Sequence, residues 1–268
     1  MKLILGHAYY DENHKAKGGK AGDQLQTTVD DYKGEVRLQE FYVNKKGWVV
    51  LRLKKSDHAV KAASIMKGAC NNPFLGYNQD DRYGVVREGT RSLKPVNCDC
   101  STLVRTVFKE ATGVDPGDFT TADEVKTLTR TGLVEEPIQY VEGKTTLYVG
   151  DILVTPIKGH TAVMVEAMPR VNPYPVPDCI VTSDRQAKHY KVKNYVSRGE
   201  TVKWVQWMLC ALGYQYRLDK VGGIDGVCGT VTVECILEFQ LIAGIEVDGL
   251  CGTETRLALN KAVNGLEK

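Results

Sequence analysis

Two cysteines one residue apart, Cys98 and Cys100, sit in the stretch PVNCDCSTLVR, just ahead of an apolar helical pattern. Cysteine does chemistry as its thiolate, and a helix start favours the thiolate through its dipole and its acceptor-less backbone N–H groups. Leu103, Val104, Val107, Phe108 and Ala111 mark a helix buried along one side and closed by Gly113. Asp99 is the natural N-cap of that helix, which puts Cys100 in its first turn and leaves Cys98 outside it. The expected nucleophile is therefore Cys100, with a lowered pKa. The N–H groups around it are placed to hold the oxyanion of a tetrahedral intermediate.

A cysteine nucleophile needs a base that takes and returns a proton. His160, in KGHTAVMVE, follows a turn and opens a strand pattern, where an imidazole can face a helix start. The other histidines, His7, His14, His58 and His189, read as belonging to polar loops or an exposed helix face. The five histidines form no H-x-x-x-H pair and the eight cysteines no C-x-x-C pair, so neither a metal site nor a cofactor is expected. A disulfide framework is not expected either, since the chain is long and nothing marks it for secretion.

These residues need a scaffold, and the pattern predicts an α+β one. Helices are expected over SDHAVKAASIMKGAC, with Ser56 as a possible cap, and over TADEVKTLTRTG, with Thr121 and Glu124 in capping-box register. The strand candidates are EVRLQEFYV, GWVVLRL, DILVTPI and HTAVMVE, the last two joined by a short Lys-Gly turn. Further on, Pro169, Pro173, Pro175 and Pro177 fall within nine positions and forbid a helix, so residues 169–195 read as a connector. This divides the chain into a first domain, 1–168, and a second, 196–268. In the second, GIDGVCGTVT and EVDGLCGTET repeat Asp-Gly-x-Cys-Gly-Thr-x-Thr at a spacing of 23 residues, with Thr230 and Thr253 placed to cap helices. Ahead of them GETVKWVQWMLCALGY lines Val202, Val205, Leu209 and Leu212 along one helical face. A small all-α module results.

The 268 residues carry a net charge of +2 with acids and bases nearly balanced, so no long basic stripe for nucleic acid is present. No stretch approaches a membrane span, and the opening apolar run is too short for a signal-peptide core. The chain reads as made in the cytoplasm without a Sec signal.

DCSTLV resembles the Asp-Cys-Ser-Gly-Leu-Val nucleophile motif of the NlpC-type, papain-like cell-wall peptidases, and GDILVTPIKGHTAVMV resembles their histidine hairpin. GGKAGDQ, CNNPFLGYNQ and NPYPVP are similar to segments of phage endolysins with this kind of domain. The final module is similar to a peptidoglycan-binding domain with two Asp-Gly-x-x-Gly repeats. The resemblance covers nearly the whole chain. It implies a papain-like fold and an endolysin that cuts an amide bond of bacterial peptidoglycan with Cys100 and His160, acting at the wall after release. Tyr77, Asp99 and Ser101 are its implied substrate-binding residues. The rival readings are a wall-binding protein that has lost activity, an N-acetylmuramoyl-L-alanine amidase in place of an endopeptidase, and an acyl or amide transferase acting on a small molecule.

Two departures stand out. Thr102 replaces the family's glycine, a change a helix tolerates. The third polar residue, which the family carries on the strand after the histidine, is missing: Glu166 shares a strand face with His160 but lies about 20 Å along it. Asn172 has a suitable offset but falls in the proline-rich stretch. A neighbouring strand from the N-terminus would instead bring GGKAGDQ to the site, with Asp23 accepting from His160 and Gln24 as an oxyanion donor.

Overall fold

The computed structural model describes residues 2–11, 13–22 and 35–264. The chain divides into two compact units, Met1–Met168 and Pro169–Lys268. The expected mixture of helix and sheet followed by a helical unit is what is observed.

The first unit is built on a six-stranded sheet with the order β2-β1-β8-β7-β3-β6. The strands are β1 (Ile4–Ala8), β2 (Val36–Glu40), β3 (Val49–Leu51), β6 (Ile138–Gln139), β7 (Ile152–Val154) and β8 (Thr161–Glu166), and every pairing is antiparallel. Antiparallel pairing alternates side chains between two faces. Val163 and Val165 of β8 meet helices α1 (Ser56–Cys70) and α3 (Cys100–Thr112), while Ala162 and Met164 join Leu5, Trp48 and Val50 on the opposite face. Both faces of β8 are covered, which explains why HTAVMVE reads as an almost unbroken apolar run.

A parallel pair, β4 (Leu75–Tyr77) with β5 (Val96–Cys98), sets Tyr77 opposite Cys98 just before α3 begins. The remaining elements of this unit are α2 (Gly84–Glu88) and α4 (Glu124–Arg130). Ser56 does not cap α1: the cap position is Lys55, with no side-chain bond.

In the second unit the expected connector is structured from residue 180 on: β9 (Ile180–Val181), α5 (Asp184–His189) and β10 (Tyr195–Val196), the last running one residue past it, with β9 and β10 paired in parallel. The helices that follow are α6 (Glu200–Ala211), α7 (Gln215–Leu218), α8 (Thr230–Ala243) and α9 (Thr253–Asn264). The two Asp-Gly units are held in the same way. Gln206 Nε2 donates to Asp225 Oδ1 (2.8 Å) and its Oε1 accepts from Gly226 N (2.8 Å). Gln240 does the same with Asp248 (2.8 Å) and Gly249 N (2.8 Å). Each repeat is thus a turn wrapped around a buried glutamine of the preceding helix. Thr230 does not cap α8, whose N-cap is Gly229 without a side-chain bond; the second threonines, Thr232 and Thr255, approach the glutamine amides instead.

Gly150 leads into β7 at φ +82°, and a Cβ there would stand 2.1 Å from the Ala59 carbonyl oxygen of α1. Gly150→Ala is expected to cost about 2 kcal/mol and lower the melting temperature by about 4–8 °C. An unchanged melting temperature would show that the α1–sheet contact yields freely.

Candidate active site

Asp99 is the N-cap of α3: its Oδ1 accepts from Thr102 N (2.7 Å), and Thr102 Oγ1 accepts from Asp99 N (2.9 Å), completing a capping box. Thr102 therefore contributes a hydroxyl where the family's glycine would contribute nothing. Asp99 Oδ1 also accepts from Ser101 Oγ (3.1 Å), and Oδ2 is paired with Arg82 (3.0 Å). Both Asp99 and Ser101 are buried, so their polar atoms serve the helix start. Cys98 is fully buried in β5, with its thiol against the Gly76 carbonyl oxygen (3.4 Å). Cys100 keeps 7% exposure.

The sulfur of Cys100 receives the backbone N–H groups of Ser101 and of Thr161, the residue after His160. These favour the thiolate, but burial pushes the thiol well above its ordinary value, and Asp99 and Glu124 add to the rise. The expected lowering at the helix start is thus overturned by desolvation, which outweighs the dipole in a dry site. His160 moves the other way. Burial, then Arg37, brings its pKa down to about 4. Both shifts favour the neutral form, of the thiol and of the imidazole.

The neighbour of His160 is the feature that the sequence reading missed. β1 pairs with β8, Leu5 opposite Met164 and Gly6 opposite Val163, and carries His7 to the imidazole. His7 Nδ1 lies 2.7 Å from His160 Nε2. His7 is 1% exposed, in a buried strand and not in a polar loop. Burial, followed by His160 and Arg37, holds its pKa well below the ordinary histidine value. The contact with His7 thus engages Nε2 of His160. A signal for His7 was available: Leu5, His7 and Tyr9 alternate along LILGHAYY as one face of a strand.

Aromatic rings enclose the two imidazoles. Tyr9 stacks on His7 (5.6 Å) and meets His160 edge-on (5.1 Å), Trp48 lies 6.2 Å from His160, and Tyr10 stands 6.5 Å from Tyr77. Tyr77 is nearly buried, its hydroxyl accepting from Gln79 Nε2 (3.0 Å); burial and the Cys100 thiol raise its pKa. Asp23 and Gln24 lie outside the described residues. The preceding Gly19 packs against the backbone of Tyr77, where a Cβ would stand 2.1 Å from the carbonyl oxygen.

The turn bearing His160 is gripped at three successive residues. Gly159 N donates to Thr121 Oγ1 (2.9 Å), His160 N to Thr155 Oγ1 (2.9 Å), and Thr161 Oγ1 to Glu124 Oε1 (2.7 Å). Thr121 and Glu124, expected to cap α4, instead turn inward to this hairpin; the N-cap of α4 is Asp123, without a side-chain bond. Glu124 is fully buried, its Oε2 has no hydrogen-bond partner among the described residues, and burial raises its pKa well above the ordinary carboxylate value.

With this geometry in place, comparison with known proteins becomes informative. The family described as an endolysin-like domain matches residues 5–170, which span the sheet, Cys100, His160 and His7. The chain belongs to this family. Its endolysin-like domain is followed by a match to a putative peptidoglycan binding domain over residues 198–259. Among curated relatives, the N-acetylmuramoyl-L-alanine amidase CwlL of Bacillus licheniformis is 36% identical over 87 residues, 32% of this chain and 22% of the relative. A probable N-acetylmuramoyl-L-alanine amidase of the same organism is 40% identical over 68 residues, 25% of this chain and 19% of the relative. The chain spans about a fifth of the length of these relatives. No solved structure matches it significantly. Among the described residues no helix is long and apolar enough to cross a membrane.

Two outcomes test the site. Glu124→Gln keeps an acceptor for the Thr161 hydroxyl, so hydrolysis at pH 7 is expected within about twofold of the parent, whereas Glu124→Ala is expected to fall about tenfold or more. A folded but inactive Gln variant would mean that an ionised carboxylate is required. The second test is acid titration of stability. Between the ordinary histidine value of 6.5 and about 4 the unfolded chain binds protons that the folded chain refuses. Stability therefore rises with pH across that window, and the melting temperature is expected to fall from pH 7 to pH 4 less steeply in His160→Gln. An equal slope in that variant would show that His160 is protonated in the fold.

Proposed function

We propose that the chain is a peptidoglycan hydrolase that cleaves an amide bond in the stem peptide, or at its junction with the glycan, through Cys100 and His160. The observation that carries this reading is the buried thiol at the start of α3 bonded by the backbone N–H of Thr161, the residue next to His160, whose imidazole is held by His7. The matches to an endolysin-like domain and to a peptidoglycan binding domain support the substrate class. This reading makes the chain a papain-like thiol hydrolase of the NlpC type.

Cys100 Sγ attacks the scissile carbonyl carbon while its proton passes to His160 Nδ1. His160 Nε2–H then donates to His7 Nδ1, so His7 acts as a positioning residue that selects the tautomer and steadies the imidazolium. Backbone N–H groups at the start of α3 receive the oxyanion. The imidazolium proton goes to the leaving amine as the C–N bond breaks, and a thioester remains. Water, deprotonated by His160, attacks the thioester and restores the thiol. Tyr77, with Tyr9 and Tyr10, forms the aromatic side of the cleft. Asp99 and Ser101 act through the helix start.

An N-acetylmuramoyl-L-alanine amidase is the second reading, favoured by the names of both relatives. The C-terminal unit would hold the enzyme on the insoluble wall and raise the local substrate concentration.

Mass spectrometry of muropeptides after digestion of purified walls decides among these. New amino termini within the stem mark an endopeptidase, and free lactyl groups with intact stems mark an amidase. Cys100→Ala is expected to lose at least about 1,000-fold in rate while Cys98→Ala keeps its activity. His7→Ala is expected to lose about 10- to 1,000-fold, in kcat more than KM. No wall cleavage by the parent chain would leave a binding protein without activity, and an active Cys100→Ala would remove the thiol mechanism.

A further inference from the structure

Cys100 is flanked in the chain by Asp99 and Ser101, and one guanidinium reaches both. Arg82 Nη1 donates to Asp99 Oδ2 (3.0 Å) and to Ser101 Oγ (3.3 Å), and it also meets the Phe119 carbonyl oxygen (3.4 Å). Its Nη2 donates to both carboxylate oxygens of Asp118 (3.1 Å each) and to Tyr83 Oη (3.0 Å). The Tyr83 hydroxyl in turn donates to Asp118 Oδ2 (2.9 Å). The Arg82 side chain is 13% exposed and that of Asp99 9%, so this pair is held largely away from water.

The far end of the clamp is the segment that leads into α4. Asp118 and Phe119 come just before Thr121 and Glu124, which hold Gly159 and Thr161 on the two sides of His160. Arg82 thus lies between the residues that fix the thiol and those that fix the imidazole. The planar fork of arginine bonds two sites at once, which the single ammonium of lysine cannot do in the same geometry.

The charge of Arg82 has a second effect. Burial raises the Cys100 thiol, and the Asp99 charge is the next cause of that rise. Glu124 adds to it, while Tyr42, Tyr77 and Cys98 are further titratable groups that face the sulfur. Paired with Asp99, the Arg82 guanidinium offsets a negative charge that opposes the thiolate.

We infer that Arg82 is a positioning residue of the thiol reaction: it ties both neighbours of Cys100 to the segment that grips the His160 hairpin, and it balances the Asp99 charge beside the sulfur. The inference rests on the Cys100 and His160 reading of the site.

Arg82→Gln and Arg82→Lys in the full chain test it, with circular dichroism and melting temperature as checks of folding. One readout is kcat and KM for release of muropeptides from soluble wall fragments. The other is the rate at which iodoacetamide alkylates Cys100 at mildly alkaline pH, followed by mass spectrometry of the Cys100 peptide. Below the titration midpoint that rate follows the thiolate fraction. Arg82→Gln is expected to lose at least about tenfold in kcat with KM within about threefold, and to be alkylated at least about threefold more slowly. Arg82→Lys keeps the charge and loses the fork, so alkylation is expected within about twofold of the parent and kcat at least about fivefold lower. A merely structural role would loosen the buried site and quicken alkylation in both variants. Faster or unchanged alkylation in folded Arg82→Gln overturns the inference, and so does a parental kcat in either variant. If Arg82→Gln does not fold, the kcat of Arg82→Lys decides alone. No hydrolysis by the parent removes the proposed reaction, and the alkylation rates then decide on Arg82 by themselves.

Discussion

The antiparallel pairing of β1 with β8 is the constraint on which the site depends. It brings together two imidazoles 153 positions apart and sets their nitrogens 2.7 Å from each other in a dry, aromatic setting. Burying a polar ring costs free energy unless a partner replaces water, and here each ring supplies the other with one partner. A single proton between Nδ1 of His7 and Nε2 of His160 suffices for both. The same burial makes the charged form of either ring unfavourable.

Two short polar devices fix the geometry around these rings. The capping box of Asp99 and Thr102 fixes where α3 begins, and so where the Cys100 thiol sits. The inward-turned Thr121 and Glu124 fix the hairpin on both sides of His160, with Thr155 holding its backbone between them. Burial favours the neutral form of the Glu124 carboxyl, whose charge is among the causes that raise the Cys100 thiol.

The second unit solves a different problem with one repeated solution. Gln206 and Gln240 each fill the inside of an Asp-Gly turn with the same set of bonds, so the repeated aspartates shape turns around buried amides. Cys228 and Cys251 are buried at equivalent places beside those turns, with burial raising both thiols. The repeats are thus committed to the fold.

The sequence by itself determined the local features. The helix after Cys100 and its Asp99 cap, the strands around residues 151–166, the proline-rich break near 169 and the twin Asp-Gly turns all follow from periodicity, capping and backbone preference, which act over a few residues. Cys100 could be told from Cys98 on the same grounds, since one lies inside a helix start and the other ahead of it. Tertiary structure decided what depends on distant partners. His7 looked like a loop residue because its role exists only once β1 lies beside β8. Thr121 and Glu124 looked like caps because their acceptors' true partners lie 37 or 38 positions away. The direction of the Cys100 shift was misread for the same reason: a helix dipole is visible in a sequence, but the water removed by packing is not.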